Sequence, residues 1–564
     1  MQFSEFKYTR PDFEKFSNEY QKLISDLKNS NDKKSTIESV YAINELKNHF
    51  DSMKTIANIR YTSNTRDKFY EDERNHFDNI RPKVEALNKK YYETLISLKN
   101  KTEIENELGS HLFRIAETVI STYSDEIADD LREESKLVNE YVKIMANADI
   151  KIDGKSYNIS EIAKFINSPD RKVRENAIKS KWNFFESKSK ELDGIYDGLV
   201  KIRTAMARKL GFKNYLELGY ARMKRTDYNS EDVKKFREAV LKYLVPLSNK
   251  LKQKQAKRLG LESLKYYDNG VDFISGNAVP KGDPEWIMEK AGTMYRELSN
   301  ETGEFIDFMR NKNLLELYAK PGKSPGGYCT FIPDYKAPFI FSNMNGTSDD
   351  IRVLTHEAGH AFQAFCSRDF KISEYRNPTL EACEIHSMSM EFLTWDWMNL
   401  FFEEDTEKFK YSHLERALNF IPYGVTVDEF QHIIYENPEL TPEERKKVWR
   451  ETEKKYTPYR DYEGINYLES GALWQKQTHI YKLPFYYIDY CLAQICALQY
   501  WKKSLENKNE TWEDYYNLCK VGGKNNFSEL IKIAKLDSPF DERSVKNVVE
   551  FCDKYLESID DSAF

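Results

Sequence analysis

Glycine and proline are scarce in this chain and unevenly placed, and that distribution limits the fold more than any other feature. From about residue 11 to 147 almost none interrupts apolar residues spaced three and four apart, as in "LFRIAETVISTYSDEIADDL". Such spacing lines one face of a helix, and long unbroken runs predict long helices. Helical patterning resumes at "SPDRKVRENAIKSKWNFF", where Ser168 is the expected N-cap and Pro169 the first helical residue, and it continues to about residue 310. The breakers gather in "YAKPGKSPGGYCTFIPDYKAPFIFSNMNGTSDD", residues 318–350, around two apolar runs, "YCTFI" and "PFIFSN", that predict short strands. Helical patterning then returns almost to the C-terminus. At "ADIKIDGKSYNIS" the period switches to two about Asp153-Gly154, which predicts a hairpin near 148–159 with a type I′ turn. The expected fold class is mainly α. We expect an N-terminal helical lobe over 1–150 and a second helical region over 151–564, joined in one two-lobed body.

Composition excludes several classes of protein. At 564 residues, with 40% hydrophobic and 31% charged residues, the chain reads as globular and has ample length for a large core. Its net charge of -7 is mild and both signs are interspersed, so no nucleic-acid surface or membrane anchor is expected. The most apolar stretch, "FLTWDWMNLFF" at 392–402, is too short to span a bilayer and is interrupted by Asp396 and Asn399. The N-terminal residues lack the basic and apolar regions of a signal peptide, and the seven scattered cysteines form no CxxC pair. The expectation is a cytoplasmic monomer without nucleic-acid or membrane partners.

Two of the nine histidines stand four residues apart in "VLTHEAGHAF", residues 353–362. The preceding "NGTSDDIR" predicts a helix start: Thr347 and Asp350 form a capping-box pattern, and Asp349 and Asp350 suit the positive end of the dipole. His356 and His360 then lie one turn apart on one face, where two imidazoles can hold one Zn²⁺. Glu357 follows His356 directly, placed to act on a water molecule without being a ligand. This is the H-E-x-x-H pattern, in which the metal lowers the pKa of its water from about 15.7 to about 7 and the glutamate serves as general base.

The third ligand defines the subtype. A metzincin continuation needs glycine and histidine where Gln363 and Cys366 stand, so that class is excluded. A following helix in "NPTLEACEIHSMSMEF", with Asn377 as expected N-cap and Pro378 at its first position, carries Glu381, Glu384 and Glu391 near one stripe. Periodicity alone leaves all three open. His386 points to another face if Glu384 points inward. Downstream, "HIYKLPFYYIDY" at 479–490 gathers His479, Tyr486 and Tyr490, side chains able to donate to an oxyanion, although aromatic stripes at helical spacing also build cores.

Together, "GGYCTF", "PFIFSNMNGTSDDIRVLTHEAGHAFQAF", "EACEIHSMSMEF" and "HIYKLPFYYIDY" resemble the M3 family of zinc oligopeptidases, in particular its oligoendopeptidase F and Pz-peptidase branch. The likeness covers roughly residues 160 to 500. It implies one zinc held by His356, His360 and Glu384, selected because Ser387 and Glu391 follow it as in the family. It also implies Glu357 as general base, with His479, Tyr486 and Tyr490 as substrate-binding or oxyanion-stabilising candidates. The implied fold is two helical lobes around a deep substrate channel, and the implied substrates are short, unstructured peptides. "PFIFSN" stands where such enzymes offer an edge strand to the peptide, and "KSPGGYC" is the adjoining glycine-rich loop, without the ending of a phosphate-binding loop. A zinc carboxypeptidase and a non-catalytic peptide-binding scaffold are the competing readings.

Overall fold

The runs without breakers form long helices in the computed structural model, which describes residues 1–564. Helices Phe13–Asn29, Lys33–Ser63 and Lys68–Ile96 pack against one another, and Asp12, Asp32 and Asp67 cap them by accepting first-turn amide N–H groups. The fold is mainly α with two small sheets. One hydrophobic core reaches from Phe6 to Leu556, and a satellite cluster of Ile150, Ile152, Ile162 and Ala177 lies under the hairpin. That hairpin pairs β1 (Ile150–Ile152) with β2 (Lys155–Tyr157), and both turn residues have positive φ, 49° at Asp153 and 77° at Gly154, as the type I′ turn requires. No helix among the described residues is long and apolar enough to cross a membrane.

Three helix starts differ from expectation, and only the first does so because a nearer side chain satisfies the first-turn amides. Helix Arg171–Ser187 is capped by Asp170, whose carboxylate accepts from Lys172 and Val173, so Ser168 and Pro169 lie outside it. Helix Ser348–Cys366, called here the histidine helix, has Thr347 at the N-cap position but no side-chain cap bond. The Thr347 hydroxyl instead donates to Asn345, and Asp350 turns back to accept the N–H groups of Asn345 and Gly346. Helix Leu380–Leu393, the carboxylate helix, begins after Thr379, two residues later than Asn377 and Pro378 predicted.

The sheet beside the histidine helix has three strands where two were expected. Strand β4 (Tyr328–Ile332) and β5 (Ala337–Met344) pair antiparallel, and a four-residue strand β3 (Leu315–Tyr318), too short to show a period, pairs with β5 in parallel. The order β3-β5-β4 puts "PFIFSN" in the centre, hydrogen-bonded on both sides. The expected edge strand is therefore not β5, and the outer strand next to the histidine helix is β4.

The histidine and carboxylate helices cross at Gly359. A Cβ added there would lie 2.6 Å from both the His386 carbonyl oxygen and the Ser387 Cα, closer than such atoms approach, and both are backbone atoms that cannot swing aside. Overpacking of this kind typically costs about 1–3 kcal/mol. Gly359→Ala is expected to lower the unfolding free energy from urea denaturation by a comparable amount, whereas Gly194→Ala, which has open space around it, serves as the helix control.

Candidate active site

The histidine helix turns His356 and His360 to one side, with ring centroids 5.0 Å apart. Across from them the carboxylate helix presents Glu384. Its Oε2 lies 3.3 Å from His356 Nε2 and 3.5 Å from His360 Nε2, and the ligating atoms of the three residues all fall within 4.8 Å of one another. The three glutamates left open by periodicity thus separate. Glu384 faces both imidazoles; Glu391 faces the far nitrogen of His356; Glu381 accepts from Tyr228 and faces Arg225 in another buried network. His386 is buried away from this group, 3.7 Å from the Cys519 sulfur, and burial holds it neutral with a value lowered to about 3.

Behind His356 runs a chain of hydrogen bonds absent from the sequence reading. The Trp395 indole N–H donates to His413 Nδ1 at 2.9 Å, so His413 carries its proton on Nε2 and donates it to Glu391 Oε2 at 2.8 Å. Glu391 Oε1 in turn accepts from His356 Nδ1 at 2.7 Å. This leaves His356 Nε2 facing Glu384. Burial opposes charge on these groups, yet the hydrogen bonds overcome it: Glu391 is lowered to about 2 and His356, between two carboxylates, is raised to about 10. A donor set that draws a positive charge this strongly suits a cation.

Glu357 is 9% exposed, lies close to the charges of His356, His360 and Glu384, and reaches toward β4. A Cβ at Gly327, the residue before β4, would sit 3.7 Å from its Oε1, so the strand backbone passes close to this carboxylate. Burial raises the Glu357 pKa above the ordinary carboxylate range, with His356 and His360 opposing. Cys329 and Cys383 are also nearby, but burial and adjacent carboxylates push both thiols up, which keeps them protonated and poor nucleophiles.

The segment 479–490 closes the other side. Tyr486 donates its hydroxyl to Glu384 Oε1 at 2.6 Å, and its ring lies 5.8 Å from His479 and 5.0 Å from Tyr490. His479 Nδ1 accepts from the Gln477 amide at 2.8 Å, while the Gln477 Oε1 accepts from Tyr423 at 2.8 Å. Burial lowers His479 to about 4, so the ring is neutral near pH 7 and keeps an Nε2–H donor. All seven sequence-derived residues are thus brought to one place.

Two buried arginines hold this segment, and neither was singled out in the sequence. Arg203 donates to the carbonyl oxygens of Tyr481 at 2.5 Å and Ile480 at 3.4 Å, with Glu134 balancing its charge at 2.6 Å. Arg225 donates to the Phe485 carbonyl at 2.6 Å and to the Asp489 carboxylate at 2.5 Å. Phe485 has φ 67°, a left-handed turn that swings Tyr486 toward Glu384, and its N–H is accepted by Gln431 at 3.1 Å. Arg203 lies within a helix and Arg225 in the loop after Arg222, and neither has a local signature; only the partners reveal them.

The model of the peptidase M3 N-terminal domain matches residues 3–123, and that of peptidase family M3 matches residues 164–272 and 293–549. A solved structure described as Pz peptidase A with inhibitor 2 is 51% identical, with a TM-score of 0.96 and complete coverage of both chains. Group B oligopeptidase PepB of Streptococcus agalactiae is 22% identical over 527 residues, covering 89% of this chain and 84% of its own. An oligoendopeptidase F homolog of Borreliella burgdorferi is 24% identical over 433 residues, covering 74% of this chain and 70% of its own.

Removing one member of a buried ion pair leaves the other uncompensated, typically at about 3–5 kcal/mol. Arg225→Leu is therefore expected to lower stability by that order in chemical denaturation, and Arg225→Leu with Asp489→Leu by less than the single change. A single variant as stable as the parent would contradict the clamp.

Proposed function

The chain belongs to peptidase family M3, and from that premise we propose that it is a zinc endopeptidase that hydrolyses internal bonds of short, unstructured peptides. The observation that carries this reading is the convergence of His356, His360 and Glu384, with Glu357 beside them and outside the ligand set. Two imidazoles and one carboxylate are the donors that zinc takes in catalytic sites, where three protein ligands leave a position open. Zinc held by these residues would supply Lewis acidity toward a peptide carbonyl and make water acidic near neutral pH.

The chain's own residues do the rest. Glu357, its basicity raised by burial, takes a proton from the attacking water and passes it to the leaving amine. Neutral His479, and Tyr486 once its single hydroxyl proton turns from Glu384, donate hydrogen bonds to the oxyanion, with Tyr490 packed against both rings. Strand β4 offers its outer edge to a peptide in extended form, an interaction that needs unpaired backbone groups on the substrate and so disfavours folded proteins. The seven cysteines are all free thiols, which suits the reducing cytoplasm.

Glu357→Gln is expected to retain zinc and to lose about 10²–10⁴ in kcat/KM on an internally quenched peptide blocked at both ends. Undiminished cleavage by a zinc-loaded variant would refute the mechanism, and failure of the parent to cut the doubly blocked peptide would favour an exopeptidase. Partners behind a metal-binding histidine usually contribute about 10–100-fold in metal affinity. Glu391→Gln is accordingly expected to weaken zinc by that order in chelator competition, while the far-UV circular dichroism stays unchanged.

A further inference from the structure

Beyond the aromatic cluster lies a cavity of about 380 Å³ whose wall carries Lys181, Lys252, Arg416, Arg460 and Lys476. Its acids are already committed: Asp272 accepts from Arg416 at 2.9 Å, and Glu415 accepts from Arg258 at 2.7 Å. Arg460 is matched by Glu453 at 2.8 Å. The three lysines have no such partner. Lys252 donates only to the neutral Gln255 at 2.9 Å, and Lys181 and Lys476 make no hydrogen bond or ion pair among the described residues, resting over the rings of Trp182 and Tyr423. Burial presses these amines toward neutrality, Lys181 and Lys252 to about 8 and Lys476 to about 7, where Lys181 and Arg460 add their repulsion. Three unmatched amines lining one half-open concavity concentrate positive charge there and favour an anion.

The cavity adjoins the candidate centre. Phe420, in its wall, lies 5.5 Å from the Tyr487 ring and 6.3 Å from the Tyr490 ring. Tyr423, also in its wall, reaches His479 through two hydrogen bonds by way of Gln477, the residue after Lys476. A peptide bound at His479 can therefore extend into this space within a few residues. Resting on the peptidase reading above, we propose that Lys181, Lys252 and Lys476 form a subsite for a carboxylate of the peptide substrate, supplied either by its C-terminus or by an acidic side chain.

Three quenched peptides of equal length, tested on the intact zinc-loaded chain, separate the sources: one with a free C-terminal carboxylate, one with a C-terminal amide, and an amide with glutamate in the last position. Charge-assisted contacts predict at least about a tenfold lower KM for the free acid than for the neutral amide. Equal rates on the glutamate peptide and the free acid mean that either carboxylate serves; a slow glutamate peptide means that the terminus is read. Equal KM for all three overturns the subsite. No cleavage of any of them overturns the peptidase reading instead. Lys252→Met and Lys476→Met are each expected to shrink the acid-to-amide ratio toward one, and an unchanged ratio removes these lysines from the role. Should a variant fold poorly, calorimetry of the parent with the C-terminal product fragment decides the same point, since equal Kd for its acid and amide forms overturns the proposal.

Discussion

The contact between two helices at Gly359 is the constraint on which the rest of the site depends. His356 and His360 belong to one helix and Glu384 to the next, so the distance between their ligating atoms is set by how closely the two backbones approach. With no side chain at Gly359, the carbonyl of His386 and the Cα of Ser387 can lie against the turn between the histidines. The glycine of "HEAGH" thus has a spacing role as definite as the chemical roles around it. Only the close crossing of the two helices makes three side chains into one site.

Around that crossing, charge is buried in matched sets. Glu391 is shared by His356 and His413, Glu384 by both histidines and Tyr486, and Arg225 by Asp489 and a carbonyl. Desolvating such groups is expensive, and apolar residues of similar volume often give equal or greater stability. What these sets secure is position. The indole of Trp395 fixes the tautomer of His413, and through Glu391 it fixes the nitrogen that His356 presents, three side chains away from its own N–H.

Much of this was legible in the sequence wherever chemistry or period is local. The helical runs, the hairpin at Asp153-Gly154, the strands at 328–332 and 338–343 and the seven residues that the fold gathers could be read because each lies in a short, patterned segment. What escaped was non-local. A third strand of four residues moved "PFIFSN" from the edge to the centre, since strand order depends on a neighbour more than ten residues upstream. Asp170 displaced the expected cap because it stands nearer the first-turn amides, and Asp350 bonds the turn before its helix instead of completing the expected box alone. The relay through His413 and the clamps of Arg203 and Arg225 join residues tens to hundreds of positions apart, and nothing in their own surroundings announces the partner.

The two arginines grip the 479–490 segment chiefly by its carbonyl oxygens. Every amino acid carries that group, so the anchorage does not depend on which side chains stand at Ile480, Tyr481 or Phe485. Between the clamps Lys482 and Leu483 are exposed, and the side chains at those two positions are free to change while the turn that carries Tyr486 keeps its place. A scaffold attached in this way separates inheritance of shape from inheritance of sequence. It leaves a stretch beside Tyr486 where new side chains can be tried without moving that hydroxyl.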